Sequence, residues 1–151
     1  MRRFWWWLED TFTNYILEKL NFTASYSIIA SYRYSAYMDR NDIVNLTKKG
    51  GNDIVSHTYS HCNLSTVDAT SLQREPEDHR ITLRSYSYGA DVLIYPYGEA
   101  ARNETVRTVV TDVWQVAIRA QSGKCNFSSV DRFDVNPYVV YPDASIETFT
   151  S

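Results

Sequence analysis

The segment DIVSHTYSHCNL (Asp53–Leu64) joins a short apolar strand pattern to two histidines that stand four residues apart. His57 and His61 can face one metal ion if the segment is helical or tightly turned, and a zinc-type ion needs about three protein ligands. The spacing alone is weak evidence, because a lone H-x-x-x-H is more often incidental than metal-binding. Thr58 stands where a zincin protease carries its catalytic Glu, which argues against that class.

Strand and helix patterns alternate on both sides of this segment. Apolar or β-rich runs predict strands at 2–8, 23–32, 53–56, 90–98 and 115–120, with a final extended segment at 130–142. Helical patterns lie between them at 14–21, 38–51, 65–88 and 103–114, and Pro76 should kink or divide the third helix. This alternation predicts an α/β fold with a mainly parallel sheet, in a single domain over residues 1–151.

The bulk composition excludes some classes of function. A formal net charge of −3 leaves no basic footprint for nucleic acid. No apolar run reaches the roughly 18 residues that a membrane span requires. The opening MRRFWWWLED has an apolar run of five residues, whereas a secretory signal needs about 7–15, so no cleavable signal is expected and the localisation stays open. The 12 tyrosines suit either a Tyr-rich core or a surface that stacks on sugars or peptides.

Three polar residues share one kind of position along the chain. Asp10 and His57 fall just after predicted strands, and Tyr97 falls in the Pro-Tyr-Gly turn that ends the strand pattern at 90–98. Ligands of parallel α/β sheets gather at the carboxyl ends of the strands. The sequence therefore predicts that these residues belong to one site.

Several segments resemble motifs of the polysaccharide deacetylases, carbohydrate esterase family four. HTYSH (57–61) is similar to the family's H-[ST]-x-x-H motif, and VLIYPYG (92–98) to a later motif that ends a strand with Tyr-Pro-Tyr-Gly. WWLEDTFTNY (6–15) resembles the opening Phe-Asp-Asp-Gly motif, and DRFDVNP (131–137) resembles the late Arg-containing strand. The connecting segments match in style and order, so the resemblance covers nearly the whole chain.

The resemblance implies a distorted or incomplete (β/α) barrel of the polysaccharide deacetylase type. It also implies a metal-dependent hydrolase, with zinc as the expected divalent ion. Such an enzyme removes acetyl groups from N-acetylglucosamine units of chitin, peptidoglycan or a related glycan, or from acetylated xylan. Members of the family are usually extracellular or associated with the cell envelope.

Carried over residue by residue, the resemblance assigns roles to eight positions. The metal ligands would be Asp10, His57 and His61. Glu9 would act as general base, and the backbone N–H of Tyr97 would stabilise the oxyanion. The expected substrate contacts are Tyr95, Pro96 and Arg132, and Arg132 could alternatively steady a catalytic carboxylate or make an ordinary surface ion pair.

The chain also departs from the family pattern. Glu9 replaces an Asp, Thr11 replaces a Gly, and the late Leu-x-His motif that supplies the general acid has no counterpart. His79 lies in a charged helical stretch and is not expected to take that role. Asp134 fits a place near the site or a surface turn equally well. A divergent or truncated deacetylase with weak activity is therefore expected, and the alternative is a catalytically inactive glycan-binding domain derived from one.

Overall fold

The protein is an α/β structure built on a parallel sheet. The computed structural model describes residues 15–31, 40–48, 51–121 and 128–137. In these residues four strands lie side by side in chain order, all parallel: β1 (Ser25–Ile28), β2 (Asp53–Ser56), β3 (Val92–Tyr95) and β4 (Val116–Arg119). The helices are α1 (15–19), α2 (Arg40–Lys48), α3 (Ala69–Ser85), a short 3-10 helix (Glu99–Arg102) and α4 (Glu104–Val113). The predicted parallel α/β fold is confirmed, and the described sheet is open rather than closed into a barrel.

The core lies between this sheet and helices α3 and α4. β2 is buried along three of its four residues, Ile54, Val55 and Ser56, because a central parallel strand is covered on both faces. The apolar cluster continues through residues of β3, β4 and the two helices: Leu72, Leu83, Leu93, Tyr95, Val106, Val110 and Ala117. Burial of this apolar area is the main force that holds the helices on the sheet.

The starts of α3 and α4 are set by side-chain caps. The Asp68 carboxylate accepts hydrogen bonds from the backbone N–H groups of Thr70 and Ser71. Asn103 caps α4 in the same way. These caps satisfy N–H groups that have no partner within the helix. Helix α3 begins later than the predicted residue 65, whereas α4 begins within one residue of the predicted 103.

Helix α3 runs through Pro76 without being divided. The helix is one element of 17 residues, and Pro76 is among its buried residues with Leu72, His79 and Leu83. These four positions repeat at helical spacing and form one stripe, so the packing of that stripe against the sheet offsets the backbone hydrogen bond lost at the proline. The prediction was that Pro76 kinks or divides the helix, and the division does not occur.

The segment 128–137 lies against β4. The backbone N–H of Ala117 donates to the Arg132 carbonyl, and Val135 forms an isolated parallel bridge with Ile118. An ion pair between Arg107 and Asp131 ties the segment to α4. The predicted strand at 2–8 and the candidate residues Glu9 and Asp10 lie outside the described residues. In the described part of the chain, no helix is both long and apolar enough to cross a bilayer.

Candidate functional site

The candidate site lies at the carboxyl edge of the sheet. Because the four strands are parallel, the residues that follow them meet at this edge. His57 comes directly after β2, and Tyr97 comes two residues after β3. Arg119 is the last residue of β4 and is paired in register with Tyr95.

Three aromatic rings form a row at this edge. The ring centroids of His57 and His61 are 4.8 Å apart, and those of His61 and Tyr97 are 5.1 Å apart. The Tyr97 hydroxyl lies 3.5 Å from His61 Nδ1, and its side chain is 55% exposed. The structure therefore brings together three of the sequence-predicted site residues, with the row open to solvent at Tyr97.

The orientation of His57 is fixed by the neighbouring strand. Its Nδ1 lies 2.8 Å from the carbonyl oxygen of Ile94 in β3. A carbonyl can only accept, so Nδ1 carries the proton and Nε2 keeps its lone pair. Metal-binding histidines are held in this way, with one ring nitrogen donating to a protein oxygen and the other left for the metal.

Both histidines are biased toward the neutral form. Burial lowers the pKa of His57, and nearby His61 lowers it further, although the hydrogen bond to Ile94 acts in the opposite direction. Burial also lowers the pKa of His61. A metal binds the neutral imidazole, so these shifts keep the two rings in the form that a metal requires near neutral pH.

The backbone of the site is strained. Five non-glycine residues in the described ranges have positive φ, and three of them are here: Thr58 (64°), His61 (62°) and Tyr97 (62°). This region is unfavourable for bulky or β-branched residues, at about 1–3 kcal/mol each. The His61 N–H donates to Thr58 Oγ1 over 3.1 Å and so helps to hold the histidine loop, residues 57–61, in place. Strain that clusters in this way is typical of functional sites.

The turn after β3 depends on Gly98. Its φ is +80°, and a Cβ atom there would lie 2.5 Å from Gln121 Cγ and 2.9 Å from Arg119 Cγ. The close approach of the Arg119 side chain at the end of β4 and of the Gln121 side chain just after it therefore leaves room only for glycine. This packing holds Tyr97 beside His61.

The two histidines supply two of the about three protein ligands that a catalytic zinc site uses. Within residues 15–31, 40–48, 51–121 and 128–137, no group of three or more His, Cys, Asp or Glu side chains is placed to hold a metal ion. The predicted third ligand, Asp10, and the predicted base, Glu9, are outside those ranges. The imidazole pair has the donor type that divalent metals use, and the His57 tautomer leaves Nε2 with its lone pair.

Residues 11–114 match the family model described as polysaccharide deacetylase. The chain belongs to the polysaccharide deacetylase family. The matched region includes the histidine loop and the Tyr-Pro-Tyr-Gly turn, so the predicted membership is confirmed.

Solved structures of deacetylases share the fold. The chain superposes on the Streptococcus pyogenes deacetylase PplD in complex with acetate with a TM-score of 0.83 and 17% identity, covering 95% of this chain and 64% of that one. For BC0361, a polysaccharide deacetylase from Bacillus cereus, the TM-score is 0.78 at 16% identity, covering 95% and 46%. For the family 4 carbohydrate esterase from Streptomyces lividans in complex with acetate the TM-score is 0.60 at 15% identity, covering 72% of this chain and 54% of that one.

These likenesses establish the fold of this polysaccharide deacetylase domain. The chain spans between about half and two thirds of the length of the solved structures it matches. A comparison with curated proteins gave no match.

The three predicted substrate contacts, Tyr95, Pro96 and Arg132, do not belong to the row of aromatic rings. The side chains of Tyr95 and Pro96 are fully buried, so neither presents its ring at the surface. The Arg132 side chain is exposed, and its guanidinium lies over the Phe133 ring at 4.8 Å. Their role in substrate binding stays a prediction.

Two further side-chain contacts at this edge were not predicted from the sequence. Arg119 is only 6% exposed and donates to the Asp134 carboxylate through both Nε and an Nη. On α3, Glu75 accepts hydrogen bonds from the backbone N–H and the hydroxyl of Ser60. A charged residue at the end of an otherwise apolar strand, VAIR, was the available signal for Arg119.

Proposed function

We propose that this domain is a metal-dependent polysaccharide deacetylase that hydrolyses acetyl groups on an N-acetylated or O-acetylated glycan. The observation that carries the proposal is the His57 ring, whose Nδ1–H is engaged by the Ile94 carbonyl while Nε2 stays available beside His61. Family membership supports the reaction class. The acetate in the structures of two relatives is consistent with release of the same product.

His57, His61 and Asp10 would hold the metal, with zinc as the expected ion. When bound, a divalent metal supplies polarisation of the acetyl carbonyl and an acidified water molecule. The neutral histidines suit this role because no proton has to leave before the ion binds.

The residues of the chain supply the remaining steps. The Glu9 carboxylate would accept the proton of the attacking water, which requires an approach of about 2.6–3.2 Å. The backbone N–H of Tyr97 would donate to the oxyanion that develops as the carbonyl carbon is attacked. The exposed Tyr97 ring offers an apolar face on which a sugar can stack.

The proposed activity is weak. Glu9 places its carboxylate on a longer arm than the family's Asp, and a misplacement of about 1 Å can cost about a hundredfold in rate. Among residues 1–151, His79 is the last of the three histidines, so these residues offer no late histidine to protonate the leaving amine. The alternative proposal, a glycan-binding domain without activity, rests on the same departures.

Metal content tests the ligand set. The purified protein, loaded with zinc and desalted, should retain about one ion for each chain, and His57→Ala or His61→Ala should lose most of it because two remaining protein ligands rarely hold zinc tightly. Gln73→Ala, an exposed change on α3, serves as the matched control and should bind zinc normally. Unchanged zinc content in both histidine variants would contradict the site.

Acetate release tests the reaction. Acetylated glucosamine oligomers should release acetate in the presence of zinc, and a chelator should abolish the release. Binding of the same oligomers, measured by calorimetry, without any acetate release would favour the glycan-binding alternative. Neither binding nor release on N-acetylated or O-acetylated glycans would overturn both.

A further inference from the structure

His79 is a buried polar residue directly behind the histidine loop. Its side chain is 0% exposed, and its Nδ1 lies 2.8 Å from Ser56 Oγ, which is also fully buried. In the described part of the chain, His79 Nε2 has no hydrogen-bond partner. An apolar residue at this place in the core would avoid that cost, so the retention of an imidazole calls for a reason beyond packing.

A continuous series of hydrogen bonds connects His79 to His61. Ser56 Oγ, which contacts His79, accepts from the Thr58 N–H over 3.2 Å. Thr58 Oγ1 in turn accepts from the His61 N–H over 3.1 Å. Helix α3 is thereby linked to the backbone of His61, one of the two candidate metal ligands.

These hydrogen bonds involve the two strained residues of the loop, Thr58 and His61. Thr58 and His61 both have positive φ, and a β-branched residue stays in that region only when its surroundings over-determine it. The Ser56 hydroxyl can rotate, and serine hydroxyls readily turn to nearby backbone carbonyls. Its contact with His79 keeps the oxygen facing the Thr58 N–H.

We infer that His79 is a positioning residue, which fixes the Ser56 hydroxyl, and through it the left-handed backbone of Thr58 and the place of His61 beside His57. The inference rests on the proposed function, since it assigns His79 to the support of that metal site. Glu75 lies one helical turn before His79 and accepts from Ser60 within the loop, so α3 contacts both the loop and the strand residue that precedes it.

Three variants separate positioning from general stability. His79→Leu fills the space without a polar atom, whereas His79→Asn keeps a hydrogen-bonding atom near the position of Nδ1. Leu83→Ala is the matched control, because Leu83 is fully buried on the same stripe of α3 one turn further on and belongs to the apolar core. Each protein is examined by competition of zinc with a chromophoric chelator, by urea unfolding, and by hydrogen exchange of the Thr58 and His61 amides.

His79→Leu should weaken zinc binding by about 10–100-fold, as expected when the support of a metal ligand is removed, and should speed exchange of the Thr58 and His61 amides. His79→Asn should restore most of the affinity. Leu83→Ala should be destabilised toward urea yet bind zinc like the wild type.

Two results would overturn the inference while leaving the proposed function intact. One is wild-type zinc affinity in His79→Leu, and the other is an equal loss of affinity in Leu83→Ala. If the wild type binds no zinc, the proposed metal site is wrong. Hydrogen exchange then tests the positioning role by itself, and unchanged exchange rates of the Thr58 and His61 amides in His79→Leu would overturn the inference as well.

Discussion

Acidification should destabilise the metal-free protein, and His79 should account for a definable part of the loss. Burial, together with nearby His57, lowers the pKa of His79 from 6.5 to about 4. In the unfolded chain the imidazole takes up a proton near its ordinary pKa of about 6.5. Below that pH the unfolded state binds more protons than the folded state, so the free energy of unfolding falls as the pH falls. The loss of unfolding free energy that His79 causes is therefore nearly absent above about pH 6.5 and nearly complete at about pH 4.

The size of this effect follows from the two pKa values. A difference between 6.5 and about 4 corresponds to about 3 kcal/mol at full development, of which about 2 kcal/mol should be lost by pH 5. Domains of this kind are stable by only about 5–15 kcal/mol. The loss is therefore large enough to measure by unfolding in urea.

The assay compares wild type with His79→Asn, in chelator, by urea unfolding at pH 7.5, 5 and 4 followed by far-ultraviolet circular dichroism. Asn keeps a polar group in place but does not titrate, and the carboxylates titrate in both proteins and cancel in the comparison. Between pH 7.5 and 4 the free energy of unfolding of the wild type should therefore fall by about 3 kcal/mol more than that of His79→Asn. His61→Asn is the control and should keep most of the wild-type dependence, because His61 is less buried than His79. Parallel pH curves for wild type and His79→Asn would refute the reasoning.

Three further outcomes are expected. Asp134→Ala leaves the nearly buried Arg119 guanidinium without its carboxylate and should lower the free energy of unfolding, measured in urea, by about 2–4 kcal/mol. A loss below about 1 kcal/mol, the range of an exposed ion pair, would contradict this prediction. Gly98→Ala forces a Cβ against the side chains of Arg119 and Gln121 at positive φ and should lower the melting temperature well below that of Gly89→Ala, whose Cβ would meet only an ordinary contact at 3.4 Å. Equal melting temperatures in the two variants would show that the turn relaxes freely. Glu9→Asp should raise acetate release by up to about a hundredfold, and a fall in activity would show that the longer side chain is adapted to this site.

Much of the site could be located from local patterns. The strand that ends before His57 and the strand that ends before the Tyr-Pro-Tyr-Gly turn were both visible as short apolar runs, and parallel strands bring their carboxyl ends to one edge. The α3 pattern predicted a helix but placed its start too early, because Asp68 caps the helix only after the loop has turned. The tautomer of His57 could not be inferred, since its partner Ile94 is 37 residues away along the chain.

The sequence by itself determined the alternation of strands and helices, the parallel sheet and the positions of His57 and Tyr97 after strands, because periodicity and strand ends are local properties. The tertiary structure alone decided which polar residues are buried together. His79 stands among charged residues in EPEDHR, yet it falls on the stripe of α3 that faces the sheet and meets Ser56, 23 residues earlier. Arg119 meets Asp134 only because 128–137 docks along β4. Such pairs depend on how whole elements pack, and no pattern confined to one segment carries that information.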